Sequence, residues 1–152
     1  MEMVRVPVTA AGSEARTSVA TSNVTTVTAD LATTWRAMPA AFDSLKIPIT
    51  SVDPAAHTIG NGEMQLRRRL GAVPLREYLN CGYTQNVPNT ETYDVHISVM
   101  SQLTPAGGAT AVTTTVQGYA RPVSTSGESV RCSSTGGLEI RLGALVAAAV
   151  GK

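Results

Sequence analysis

The chain holds two cysteines, and their placement constrains the fold more than any other feature of the sequence. Cys81 and Cys132 stand 51 positions apart, each among small turn-forming residues, Asn80-Cys81-Gly82-Tyr83 and Arg131-Cys132-Ser133-Ser134-Thr135-Gly136. Two such cysteines read as one disulfide, tying the middle of the chain to the threshold of its last helix. Closing a loop of that length stabilises a native state by roughly 4 kcal/mol on the chain-entropy estimate. Because the cytosol reduces structural disulfides, the protein is expected in an extracytoplasmic place: periplasmic, cell-surface or secreted.

With 152 residues the chain has the length of one ordinary domain, enough to bury a core without a metal or cofactor. Residues 1–17 read as an N-terminal strand and linker, and 18–152 as a single α+β domain. Only 15% of residues are charged, well below the usual quarter, and Thr, Ala, Ser and Gly occupy surface positions that Lys and Glu normally take. A net charge of +1 gives no basic face to displace phosphate counterions, so nucleic acid is not an expected partner. The opening Met1-Glu2-Met3-Val4-Arg5 lacks the basic start and apolar core of a signal peptide, so export implies a leader already removed. The longest apolar run, Leu142 to Val150, reaches about half the span of a bilayer, so no transmembrane segment is expected.

Val4, Val6 and Val8 alternate with Arg5 and Pro7, the period of a strand that Pro7 confines to an edge. Ser18 to Val27, rich in Thr and Val, predicts a second strand. Leu31, Trp35, Met38, Phe42 and Leu45 form one stripe of an amphipathic helix. Thr28 is a candidate cap for it, with Asp30 in the first turn, and Pro39 predicts a bend or two shorter pieces. Ile47–Val52 and Thr58–Leu70 read as a hairpin around Asp53-Pro54-Ala55-Ala56. Pro74 to Leu79 reads as a helical turn or loop, and Thr84 to Thr92 as an exposed loop. Tyr93–Leu103 and Thr110–Ala120 make a second hairpin across Pro105-Ala106-Gly107-Gly108, with Tyr93, Val95, Ile97 and Val99 facing the core. Val123 to Val130 reads as a loop, and Leu138 to Val150 as a helix whose face carries Leu138, Leu142, Leu145 and Ala149. This order predicts an antiparallel sheet of about five strands with two helices packed on one face, plus the N-terminal extra strand.

Two phrases, Arg67-Arg68-Arg69-Leu70-Gly71 with Tyr78-Leu79-Asn80-Cys81-Gly82, and Cys132-Ser133-Ser134-Thr135-Gly136-Gly137-Leu138-Glu139, resemble the wording of uncharacterised bacterial envelope proteins. Over residues 18–150 the order of elements is similar to the helix-grip domains of the small lipoprotein in the outer-membrane barrel-assembly machinery. That resemblance implies a sheet gripping a helix and no catalysis. No lipidation cysteine stands near the start of this sequence, a departure from that family's pattern that leaves a lipid anchor open.

No catalytic set stands out. The only histidines are His57, in the first hairpin turn, and His96, on the polar side of a strand, both read as solvated. No close group of His, Cys and carboxylate residues suggests a metal, and no cofactor motif appears. Gly60-Asn61-Gly62 and Gly107-Gly108 read as turns. The one charge cluster is Arg67, Arg68, Arg69 and Arg76. On a strand Arg68 would lie with Met64, Leu66 and Leu70, toward the core or the rim, where a guanidinium seeks an acidic partner or an anionic ligand.

The leading expectation is a non-catalytic extracytoplasmic protein that binds protein, copies of itself included. Val4, Val6 and Val8 on a flexible linker suit a donor strand that adds to a neighbour's sheet and builds filaments. The alternative is a small-molecule or anion-binding module, with Arg68 and Tyr78, Tyr83 or Tyr93 lining a groove between sheet and helix.

Overall fold

The structure, a computed structural model, describes residues 21–123 and 128–151. Val4, Val6, Val8 and the linker therefore lie outside the described residues.

The centre of the fold is a long hairpin, β9 (Asp94–Ala106) and β10 (Ala109–Arg121), paired along thirteen residues each. It forms where the sequence alternates. Val95, Ile97, Val99 and Leu103 on one strand, and Val112, Val116 and Ala120 on the other, point to one side and are buried. Gly107 and Gly108 close the turn with positive φ at both positions, the conformation a tight hairpin needs and glycine adopts freely. β3 (Thr58–Arg67) pairs with β9 and carries β2 (Ser51–Asp53) at the outer edge. The Asp53 carboxylate caps the intervening turn, accepting from the Ala55 and Ala56 amides.

On its other side β10 carries two neighbours in succession, β1 (Thr21–Val27) and β11 (Val130–Ser134), and β11 in turn pairs with the two-residue β6 (Leu79–Asn80). The sheet thus has seven antiparallel strands rather than about five. Two small ribbons stand apart, β4 (Arg69–Leu70) with β5 (Val73–Pro74), and β7 (Tyr83–Thr84) with β8 (Val87–Pro88).

Helices α1 (Leu31–Ser44) and α3 (Gly137–Val150) pack against each other and against the same sheet face. Asp30 caps α1 itself, accepting from Thr33 N, so the cap falls two residues after the expected Thr28. The helix runs unbroken over Pro39, which sits on its exposed side. Phe42, Met38, Leu138, Leu142 and Val146 are fully buried between helices and sheet. Trp35, Leu31 and Leu145 only flank that core. The buried face of α3 turns toward Glu139, Gly143 and Val146, and Ala149 remains half-buried. Glu139, 1% exposed, accepts from the Ser134 hydroxyl in the first turn of α3, where the helix dipole favours a carboxylate. No described helix is long and apolar enough to cross a membrane.

Candidate functional site

Cys81 and Cys132 are bonded, with Cα atoms 4.1 Å apart, and both are buried. Cys132 lies in β11 rather than in a turn, and Cys81 follows β6 directly. The bond therefore fastens an irregular segment to the sheet. That segment holds a 3-10 turn (Leu75–Glu77), the β7–β8 ribbon and the short α2 (Asn89–Thr92). Buried Asn89 organises it: its side-chain amide donates to the Cys81 carbonyl, its oxygen accepts from Thr84, and its backbone N–H bonds Gly82. These bonds hold the loop against the sheet, although the buried Thr90 hydroxyl finds no partner, and the β7–β8 ribbon presents Tyr83, 68% exposed, and Val87. Sequence reasoning took 84–92 as an exposed loop, but Asn89 and Thr90 are buried within it.

Of the four arginines Arg68 and Arg76 meet at Glu91, while Arg67 and Arg69 go to separate partners. Arg67 pairs with Asp94 at 3.4 Å, and Arg76 pairs with Glu91 at 3.1 Å. Arg69 donates to the Ala72 carbonyl and Arg68 to the Glu91 carbonyl. Arg68 does not turn toward the core. It sits between β3 and β4 with φ of 68°, which ends the strand alternation and swings its side chain into solvent. Such exposed pairs contribute little, typically under about 1 kcal/mol. The tyrosines grouped with Arg68 disperse as well. Tyr78 is buried, Tyr83 is at the ribbon tip, and the Tyr93 hydroxyl meets Thr84. Burial pushes the Tyr78 phenol above its ordinary value, against the pull of Arg141.

None of the described helices lies on the opposite sheet face, and here the structure gathers residues that the sequence pattern keeps apart. Gln65, His96, Tyr119 and Arg131 stand in register across β3, β9, β10 and β11. The His96 and Tyr119 rings stack, centroids 4.6 Å apart and planes 2° from parallel. Glu63 joins them through a β-bulge between Asn61 and Met64, its carboxylate 2.8 Å from His96 Nδ1. The bulge is built in: buried Asn61 donates to the Pro48 carbonyl and accepts from Glu63 N. At Gly60 any Cβ would be driven into the Val99 carbonyl oxygen. Gly60-Asn61-Gly62 is thus a strand irregularity and not a turn, of the kind that re-aims a side chain. His96, read as solvated, has a side chain only 15% exposed. A cavity of about 180 Å³ opens beside it, lined among others by Glu63, His96, Ser98, Gln117, Tyr119 and Arg131. His57 also has a partner, the Trp35 ring, in a T-shaped pair with centroids 5.3 Å apart.

The third feature is an edge. β1 pairs with β10 on one side, and among the described residues nothing pairs with its other side. Its seven residues, Thr21 to Val27, include no charge, proline or glycine, and Val24 is 59% exposed on the open face. Sheets ordinarily protect an edge with one of those devices. β2 and β6 are three and two residues long, and the outer side of β3 beyond β2, also without a strand partner among the described residues, carries a bulge and the charged Glu63 and Arg67.

No known protein family matches the chain, and no curated protein matches it.

Proposed function

We propose that this is a non-catalytic extracytoplasmic protein that works by binding protein, and that its partner is another copy of itself added strand to edge. The observation that carries the reading is the edge of β1, seven residues long, uncharged and unpaired among the described residues. The N-terminal Val4-Arg5-Val6-Pro7-Val8 has the alternation of a strand, and its proline is tolerated where one side of the strand faces solvent. Backbone hydrogen bonds would supply the attachment. Each valine placed against apolar surface would add about 1.5 kcal/mol or more. Head-to-tail repetition of such a junction gives a filament instead of a closed dimer. The disulfide supports the extracytoplasmic setting, since bonds of this structural kind persist in oxidising compartments.

Deleting residues 1–9 tests this. Light scattering should show association of the full chain and a monomer after deletion, with an unchanged circular dichroism spectrum. A full-length chain that stays monomeric at high concentration returns the N-terminal segment to its own domain.

A further inference from the structure

We propose that the open face of the sheet carries a second site, independent of the β1 edge, which binds a short peptide zwitterion with its ammonium toward Glu63 and His96 and its carboxylate toward Arg131.

Where β3 runs on past β2, a bulge requires glycine at position 60 and occupies both polar atoms of a buried asparagine, and it sets Glu63 over His96. The resulting cavity has an acidic residue on its β3 side, Glu63, and a basic residue on its β11 side, Arg131. Opposite charges at opposite ends disfavour a simple anion, which Glu63 repels, and a simple cation, which Arg131 repels. They suit a molecule that carries both signs.

The imidazole sharpens that polarity. Nδ1 is engaged by Glu63, so the ring presents Nε2 as its remaining polar atom, and in the neutral ring held this way Nε2 accepts a hydrogen bond. An ammonium group supplies several donors, enough for Nε2 and the carboxylate together. At the other end Arg131 offers the planar fork that pairs with a carboxylate. Ser98 and Gln117, which face each other across β9 and β10, offer neutral donors and acceptors suited to an amide between the two termini. The stacked rings of His96 and Tyr119 give one wall an apolar surface.

Size limits the ligand. A cavity of about 180 Å³ lies below the range that holds drug-sized molecules. Glu63 and Arg131, both lining the cavity, begin on strands three spacings apart, about 14 Å. Within that backbone separation, with a side chain reaching in from each end, a dipeptide of about 7 Å is the ligand length of the right scale.

The test is a titration of the folded full-length protein with glycylglycine, followed by amide chemical shifts. Saturable shifts should appear at Gly62, Glu63, His96, Gly118, Tyr119 and Arg131. Acetate and methylamine, each carrying one of the two charges, should bind about tenfold more weakly or worse. Glu63→Gln and Arg131→Gln should each weaken glycylglycine by about tenfold, with spectra elsewhere unchanged to show that the fold is intact. No saturable shift up to about 20 mM glycylglycine overturns the proposal. So does acetate binding as tightly as glycylglycine, or Glu63→Gln leaving the affinity unchanged.

Discussion

Removing the disulfide is the perturbation whose size follows most directly from the structure. Cys81 and Cys132 close a loop of 51 residues, for which the chain-entropy relation gives about 4 kcal/mol of native-state stabilisation. The two cysteines are 4% and 2% exposed, so alanine is the replacement that leaves no buried polar group behind. Cys81→Ala with Cys132→Ala should lower the unfolding free energy by about 4 kcal/mol. At this chain length that corresponds to roughly 8–16 °C in Tm. The loss should be felt first around Leu79 and Asn80, because β6 pairs with β11 through only two residues and the covalent bond stands beside them. Urea unfolding of both proteins gives the free energies, and amide exchange gives the order of opening. A difference below about 1 kcal/mol would refute the chain-entropy reasoning. Loss of protection in β9 and β10 before β6 would refute the role assigned to the bond.

The helix–sheet core gives a graded expectation: Phe42→Ala should cost about 3–5 kcal/mol, and the half-buried Trp35→Ala less, about 2 kcal/mol, by urea unfolding. Gly60→Ala should destabilise by at least the 1–3 kcal/mol or so of its backbone conformation, and should shift the His96 resonances because the bulge moves. Tyr78 holds its proton more tightly folded than unfolded. Its stabilisation is therefore complete below about pH 10 and is lost as pH rises through the raised native value, and Tyr78→Phe should flatten that part of the stability profile.

What the sequence made legible is what depends on local period. The long hairpin was readable because Val95, Ile97 and Val99 alternate with polar residues and Gly107-Gly108 follows, and α1 because its apolar stripe is long. β11 was missed because Cys132, Ser133 and Ser134 carry turn chemistry, and their strand state comes from pairing with β10 and β6. Trp35 was placed too deep, since a helical stripe does not say which of its members reaches the sheet's edge. The open-face site escaped for a similar reason. His96 was correctly placed on the outward side of its strand, but its partners come from three other strands and from a bulge that shifts the register of β3. The glycines at 60 and 62 were the available signal, because isolated glycines within a strand pattern mark bulges as well as turns. The arginine run was visible, and its dispersal was not, since it rests on the positive φ of Arg68.

Assembly through the edge of β1 is tested most directly by supplying the missing strand. A synthetic peptide of residues 1–9 is titrated into protein lacking those residues, and amide exchange is read along Thr21–Val27. The account predicts that the peptide slows exchange at the β1 amides that β10 leaves unpaired, and that a peptide with serine at positions 4, 6 and 8 does not. Unchanged exchange in β1 at saturating peptide, or protection appearing at β2 instead, would contradict it.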